Sequence, residues 1–205
     1  MVSDVRKRLS GKILPSDNGC QVKTLDISSR FNSSLRQGID SLNSSELRAG
    51  EVKVGNKLYD MSPPSGAVNR AVVVRIQKDD KRSQAAVIFE IYEDVSSIMF
   101  LHACAREAVN KKAYDMIFNF DDSAELLGWY EVLYEDGLAE RIPVRYGVNI
   151  LDWRWRQRIT NNEKEKAKYS QNKYAYQAPA VECSKDQKKP LTFFAYEWEN
   201  ARSGK

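Results

Sequence analysis

The stretch from residue 128 to residue 153, GWYEVLYEDGLAERIPVRYGVNILDW, carries the clearest structural signal in the chain. Apolar and polar residues alternate on both sides of the central EDG, which is the pattern of two strands that each expose one face. Gly137 can adopt the positive φ that a tight turn requires, so the pattern predicts a β-hairpin with its turn at EDG. Tyr130, Val132 and Tyr134 occupy every second position and are expected on one face of the first strand.

Other short segments before and after this hairpin also predict strands. GEVKVGNKLYDM (50–61) predicts a second hairpin with its turn at GN. AVVVRIQ (71–77) and QAAVIFEIYEDVSSIMFLHACA (84–105) are rich in β-branched and aromatic residues and predict buried strands, and PLTFFAYEWEN (190–200) predicts another. Many short strands with few helical patterns indicate an all-β protein, either a sandwich or a jelly roll.

Composition limits the kinds of partner that we expect. Of the 205 residues, 42% are hydrophobic, which is enough for a core, and 32 basic residues are interspersed with 28 acidic ones. The one-sided basic surface of a duplex-binding protein is absent, so no nucleic acid is predicted as a partner. WRWRQR followed by KYSQNKYAYQ has the composition of a groove for single strands, but the interleaved Glu163 and Glu165 make this a third-ranked hypothesis. No segment approaches the roughly 20 apolar residues of a membrane span.

Two segments lack a strand pattern. Residues 1–20 are polar, and we expect them to form an N-terminal extension to a single β-sandwich domain at 21–205. Residues around 156–190, centred on NNEKEKAKYSQNK, predict a long polar insertion that is irregular or partly helical. The start, MVSDVRKRLSGK, has no apolar run of the kind found in a signal peptide, so no signal peptide is predicted in this chain.

Four stretches in order resemble a known family. They are LDISSRFNSSL (25–35), SSIMFLHACA (96–105), the 128–153 stretch and LTFFAYEWENARSGK (191–205). Members of the family have a strand ending in FLH, a Y..DG hairpin, an IP..YG.NI.DW segment and a closing strand with WENP.P. The chain thus resembles the galactose-binding-like jelly-roll β-sandwich that occurs as an accessory domain in multidomain bacterial proteins, many of them glycoside hydrolases.

The end of the chain departs from the family pattern. Where members have NPRP this chain has NARS, and members continue with one more strand after that point. The resemblance therefore implies that the final strand of the sandwich is missing from these residues. Either a neighbour in a longer polypeptide supplies the strand or the chain was cut there, and without it the sheet would have an open edge.

The resemblance implies a non-catalytic carbohydrate-binding or accessory module of a larger glycan-active protein. Its partners would be carbohydrate and a covalently linked catalytic domain, and its location would be extracellular or periplasmic. One alternative is a structural domain that packs against a catalytic neighbour without binding sugar. A second alternative is glycoside hydrolysis by this domain, which needs two carboxyl groups facing each other across a cleft. No nucleophile elbow, phosphate-binding glycine loop or metal-hydrolase motif is present, and no catalytic residue is assigned.

Aromatic and polar residues around the 146–155 loop are the types that bind sugars. Indole rings stack on the apolar C–H faces of sugar rings, while amide and carboxylate groups bind hydroxyls. The predicted ligand-binding residues are Tyr146, Asn149, Asp152 and Trp155, with Trp129 and His102 behind them. Trp153 belongs to the DW of the family's scaffold pattern, so we expect it in the core.

Ionisable and metal-ligating residues give weaker signals. His102, the only histidine, follows an apolar strand; a hydrogen-bonded structural role is favoured over a general base. Cys20, Cys104 and Cys183 lie far apart and share no zinc-site spacing, so no metal ligand is assigned. FDDSAE (120–125) predicts a solvated acidic turn, with a structural calcium, common in this fold, as the alternative.

Overall fold

The computed structural model describes residues 13–14, 22–31, 47–55, 57–62, 71–74, 86–105, 125–154, 177–186, 188 and 191–204. The chain divides into two compact units, Met1–Asp94 and Val95–Lys205. In the described ranges strands predominate and the only helical element is a 3-10 turn at Ser28–Arg30, so the protein is all-β as predicted. None of the described helical structure is long and apolar enough to cross a membrane. The single sandwich at 21–205, with an extension at 1–20, stays a prediction.

In the part of the first unit that the structure describes there are two small antiparallel pairs of strands. They are β1 (Ile13–Leu14) with β2 (Val22–Lys23), and β3 (Glu51–Val54) with β4 (Lys57–Asp60). The predicted hairpin at 50–61 is therefore confirmed, and Gly55 adopts a φ of 61° at its turn. Val52 is buried while its neighbours in the strand are more exposed, which is the alternation expected of a strand with one covered face.

Two predicted strands are wrong over much of their length. In the described part of 71–77 there is only an isolated bridge, and the Val74 side chain is 56% exposed. In the described residues 86–105 the strand begins only at Ser97, and Ile88 before it is 69% exposed. A run of β-branched and aromatic residues fits a pleated, half-buried surface, but it forms a strand only where another strand lies alongside it.

Among its described residues the second unit contains five strands in two sheets. They are β5 (Ser97–His102), β6 (Leu126–Leu133), β7 (Ala139–Arg145), β8 (Ala180–Glu182) and β9 (Thr192–Glu199). One sheet has the order β5-β9-β8 with antiparallel neighbours, and the other is the β6–β7 hairpin. The strand predicted at 190–200 is thus the central strand β9 of the larger sheet.

The β6–β7 hairpin forms where the sequence predicts it. The backbone N–H of Tyr134 donates to the Leu138 carbonyl at 2.8 Å, and Gly137 between them has a φ of 85°. Tyr130 and the other even-numbered residues of β6 from Gly128 on are half-buried, whereas the odd-numbered residues facing the other way are exposed. The hairpin therefore has an inner face and an outer face, as its period-two pattern requires.

Strand β8 lies in the segment that was expected to be a polar insertion. Val181 pairs with Phe193 of β9, and Val181 and Cys183 are buried. The prediction of an insertion is therefore wrong for 177–186, because three residues carry too little alternating pattern to be recognised as a strand and form one only by pairing with β9. Residues 156–176 lie outside the described ranges.

The inner face of the hairpin packs against one face of the three-stranded sheet. Phe100 of β5 and Tyr130 of β6 stack with their ring centroids 3.9 Å apart and their planes at 8°. Trp198 of β9 donates its Nε1–H to Oε1 of Glu140 in β7 at 3.1 Å. A compact apolar cluster completes the interior of this unit, formed by Tyr146, Leu151, Ala178 and Phe194. This two-layer packing fits a β-sandwich.

Candidate functional site

The 146–153 segment, YGVNILDW, folds back on itself directly after β7. Gly147 has a φ of 87°, and its N–H donates to the Ile150 carbonyl at 2.8 Å, which closes a compact loop. Cys104 N–H then donates to the Leu151 carbonyl at 2.9 Å, and Trp153 N–H donates to the Cys104 carbonyl at 3.0 Å. These bonds extend the end of β5 and hold the segment in the interior, where every one of its side chains is buried.

Asn149 uses its side-chain amide to satisfy the backbone. It is 2% exposed; its Oδ1 accepts from Arg145 N–H at 2.9 Å, and its Nδ2 donates to the Pro143 carbonyl at 2.8 Å. These bonds tie the loop to the end of β7. The amide that was predicted to bind sugar hydroxyls thus bonds within the protein at both ends.

Tyr146 and Asp152 bind each other inside the same loop. The Tyr146 hydroxyl donates to Asp152 Oδ2 at 2.8 Å, and Asp152 Oδ1 accepts from Arg154 N–H at 3.0 Å. Burial raises the pKa of Asp152 above its ordinary value, and the hydrogen bonds from Tyr146 and Arg154 offset part of that rise. The predicted sugar ligands Tyr146 and Asp152 therefore form an internal pair, with Asp152 only 2% exposed.

His102 ends β5 and connects the loop to the hairpin. Its Nε2 is 2.7 Å from the Asn149 carbonyl, and its Nδ1 is 2.6 Å from the Tyr130 hydroxyl. Because a carbonyl only accepts, Nε2 carries the hydrogen and Nδ1 of the neutral ring accepts from Tyr130. Burial lowers the pKa of His102 to about 4, and the bond to Asn149 opposes that shift. His102 thus lies at a strand end with both ring nitrogens hydrogen-bonded, the position that the sequence favoured.

The structure describes one of the two tryptophans of the DWRW sequence, Trp153. Trp153 is buried, which confirms the expected core position, and the Arg154 guanidinium lies 4.4 Å from the centroid of its ring. Trp155 lies outside the described residues, so its proposed contact with sugar stays a prediction.

Trp129 lies on the outer face of the hairpin and is 53% exposed. We use "outer face" for Trp129, Glu131 and Leu133 of β6 together with Arg141, Pro143 and Arg145 of β7. The guanidinium of Arg141 lies 5.6 Å from the centroid of the Trp129 ring, and its Nε donates to Glu131 Oε2 at 2.6 Å. The outer face thus presents an exposed indole beside an ion pair.

The structure separates the five predicted site residues that it describes. Tyr146, Asn149, Asp152 and His102 are joined in the interior, whereas Trp129 stands apart on the outer face. Glu131 and Arg141, the polar neighbours of the exposed indole, were not selected from the sequence. Glu131 lies two residues beyond Trp129 in β6, and Arg141 of β7 lies opposite Glu131 in the hairpin register, so counting alternate positions around the predicted turn would have found them.

The described residues give no support for a metal site. In the described ranges no group of three or more His, Cys, Asp or Glu side chains is close enough to hold a metal ion. Most of the acidic 120–125 stretch lies outside those ranges, so the structural calcium stays a prediction. Cys104 and Cys183 are both present as thiols.

Comparison with known proteins identifies no relative. No protein-family model, curated protein or solved structure matches the chain. The family resemblance noted in the sequence therefore stays a proposal, and function must be argued from the geometry of the described residues.

Proposed function

We propose that this protein is a non-catalytic carbohydrate-binding module, a galactose-binding-like jelly roll that serves a larger glycan-active protein. The observation that carries the proposal is the exposed indole of Trp129 beside the ion pair of Glu131 and Arg141. An aromatic ring with a donor and an acceptor next to it is the combination that sugars require: the ring contacts C–H faces, and the charged groups bind hydroxyls.

The outer face is also well suited to binding because it is already ordered. Trp129, Glu131 and Arg141 belong to two paired strands, and a cross-strand ion pair fixes the Arg141 guanidinium. A ligand that binds to such a surface loses little free energy in ordering side chains, since the protein has already restricted them.

The buried loop is a poorer place for a sugar. To reach Asn149 or Asp152, a ligand would have to break hydrogen bonds that both side chains make inside the protein. Leaving the freed backbone groups buried without partners would cost about 1–3 kcal/mol for each group. We therefore move the proposed site from the 146–153 segment to the outer face, and Trp155 stays as a second proposed contact.

The larger protein is proposed to be extracellular or periplasmic, with a catalytic domain linked to this one. Catalysis is not assigned to this domain. Glycoside hydrolysis needs two carboxyl groups across a cleft. Two carboxylates among the described residues are engaged in hydrogen bonds within the protein instead. Glu140 Oε1 accepts from the Trp198 indole N–H, and Asp152 Oδ2 accepts from the Tyr146 hydroxyl.

A glycan-array screen of the chain, followed by calorimetric titration of the best ligand, tests the proposal. Trp129→Ala should weaken binding at least about tenfold, which corresponds to about 1.4 kcal/mol. Leu133→Ala is the matched control: Leu133 is an exposed apolar residue of the same face but has no ring on which a sugar can stack. Equal loss in both variants, or unchanged affinity in Trp129→Ala, would contradict a stacking role for Trp129.

A second candidate function follows from the exposed leucines of the hairpin. Leu126 at its open end and Leu133 and Leu138 near its turn are all exposed, and exposed apolar side chains suit contact with another protein domain. In this alternative the module packs against its catalytic neighbour and binds no sugar. Two results together would favour this alternative. The chain would bind no glycan on the array, and the backbone amides of these leucines would exchange more slowly when the catalytic neighbour is attached.

A further inference from the structure

We infer that the outer face recognises an acidic glycan, with a uronate carboxylate on Arg141 and its sugar ring on Trp129. This inference rests on the proposed function and specifies the chemical class of its ligand. It depends on which atoms of the ion pair the hairpin uses and which it leaves available.

Arg141 has donors that the hairpin does not use. Its Nε–H donates to Glu131 Oε2 at 2.6 Å, and the side chain is 67% exposed. Among the described residues, the hairpin engages Arg141 through this bond and through the Trp129 ring. The N–H groups of its two Nη atoms are therefore available, and that edge of a guanidinium matches the two oxygens of a carboxylate.

Glu131 holds the guanidinium in place. Its Oε2 accepts the Arg141 Nε–H, which leaves Oε1 as an acceptor for a sugar hydroxyl. A ligand with both a carboxylate and a neighbouring hydroxyl would satisfy Arg141 and Glu131 together. A neutral sugar would offer the Nη edge only hydroxyl oxygens, which form weaker hydrogen bonds with a guanidinium than a carboxylate does.

Calorimetric titration of the full chain with oligogalacturonate and with its fully methyl-esterified form tests the inference, because esterification removes the charge and keeps the sugar. The acid should bind at least about tenfold more tightly. Arg141→Gln should abolish that preference. Arg202→Gln is the matched control, because Arg202 also pairs with a carboxylate, Asp136, and lies over an aromatic ring, Tyr134, elsewhere in the unit.

The outcomes separate this inference from the proposed function. Equal affinity for acid and ester, with both lost in Trp129→Ala, would overturn the preference for acidic glycans and leave carbohydrate binding intact. Binding of a neutral galactan but of neither galacturonate form would do the same. Failure of all three glycans to bind the folded chain would overturn the inference, and an empty glycan array would remove the proposed function as well.

Discussion

Protonation of His102 should destabilise the fold at mildly acidic pH. The ring is buried and donates from Nε2 to the Asn149 carbonyl while Nδ1 accepts from the Tyr130 hydroxyl. A second ring hydrogen on Nδ1 would face that hydroxyl, so Tyr130 would have to turn its own hydrogen towards another acceptor. Phe100 and Tyr196 stack nearby and offer no compensating charge, which is consistent with burial as the main cause of the lowered pKa.

The size and sign of the effect follow from the two pKa values. In the unfolded chain His102 takes up a proton near its ordinary pKa of 6.5, whereas in the folded protein it does so only near pH 4. Its contribution to stability is therefore fully present above pH 6.5 and is lost as the pH falls to about 4. At 1.36 kcal/mol per pH unit, the loss is about 3 kcal/mol.

Urea unfolding of the wild type and of His102→Gln between pH 7.5 and pH 4 measures this loss. Glutamine can donate to the Asn149 carbonyl but cannot titrate in this range, so the difference between the two proteins isolates the imidazole. Asp152 acts in the opposite direction, because a carboxyl group with a raised pKa in the folded protein stabilises the fold as the pH falls. Its contribution is present in both proteins, so it cancels in the difference between their free energies of unfolding. The wild type should lose about 3 kcal/mol more than the variant.

NMR titration gives a direct control because the chain has one histidine. The imidazole C–H resonances of the folded protein should stay at their neutral positions at pH 5. A titration midpoint near 6.5, or the same pH dependence in the wild type and His102→Gln, would refute the reasoning.

Three further substitutions test the packing and the turns by urea denaturation. Phe194→Ala should cost about 3–5 kcal/mol, because the ring is fully buried in the apolar cluster, and a cost below about 1 kcal/mol would show that the site collapses or is exposed. Gly137→Ala should cost about 1–2 kcal/mol through its φ of 85° alone, whereas Gly128→Ala, also with open space around it, should cost less than half as much. Asn149→Ala should cost about 2–4 kcal/mol by leaving two backbone groups unpaired. An unchanged unfolding midpoint would contradict the stabilising role of these two hydrogen bonds.

The parts of the fold that the sequence predicts are those that depend on neighbouring residues. Both hairpins are encoded by alternation around a turn that contains glycine, at Gly55 and Gly137, and both form as expected. Strand β8 pairs with the next strand, β9, but its three residues carry too little pattern to reveal that pairing. The apolar run before Ser97 shows the converse error, since its composition suits a strand that the described structure does not contain.

The candidate site was only partly accessible to the same reasoning. Residue type identified Asn149 and Asp152 as suitable for sugar, but type does not show whether a side chain faces water or the backbone of its own loop. Their burial depends on bonds to Pro143, Arg145 and Arg154, which only the folded loop brings into reach. By contrast, the exposure of Trp129 follows from the alternation of β6, because its side chain points to the opposite face of the strand from that of Tyr130.

The central claim, that the outer face rather than the buried loop binds sugar, can be tested through the indole N–H groups. The chain has four tryptophans, and a ¹⁵N-labelled sample gives one indole signal for each, with Trp129→Phe assigning the signal of interest. On titration with a glycan that binds, the Trp129 signal should shift in step with saturation while the Trp153 signal stays in place. A Trp129 signal that does not move while the Trp153 signal shifts would contradict the claim and return the site to the 146–153 segment.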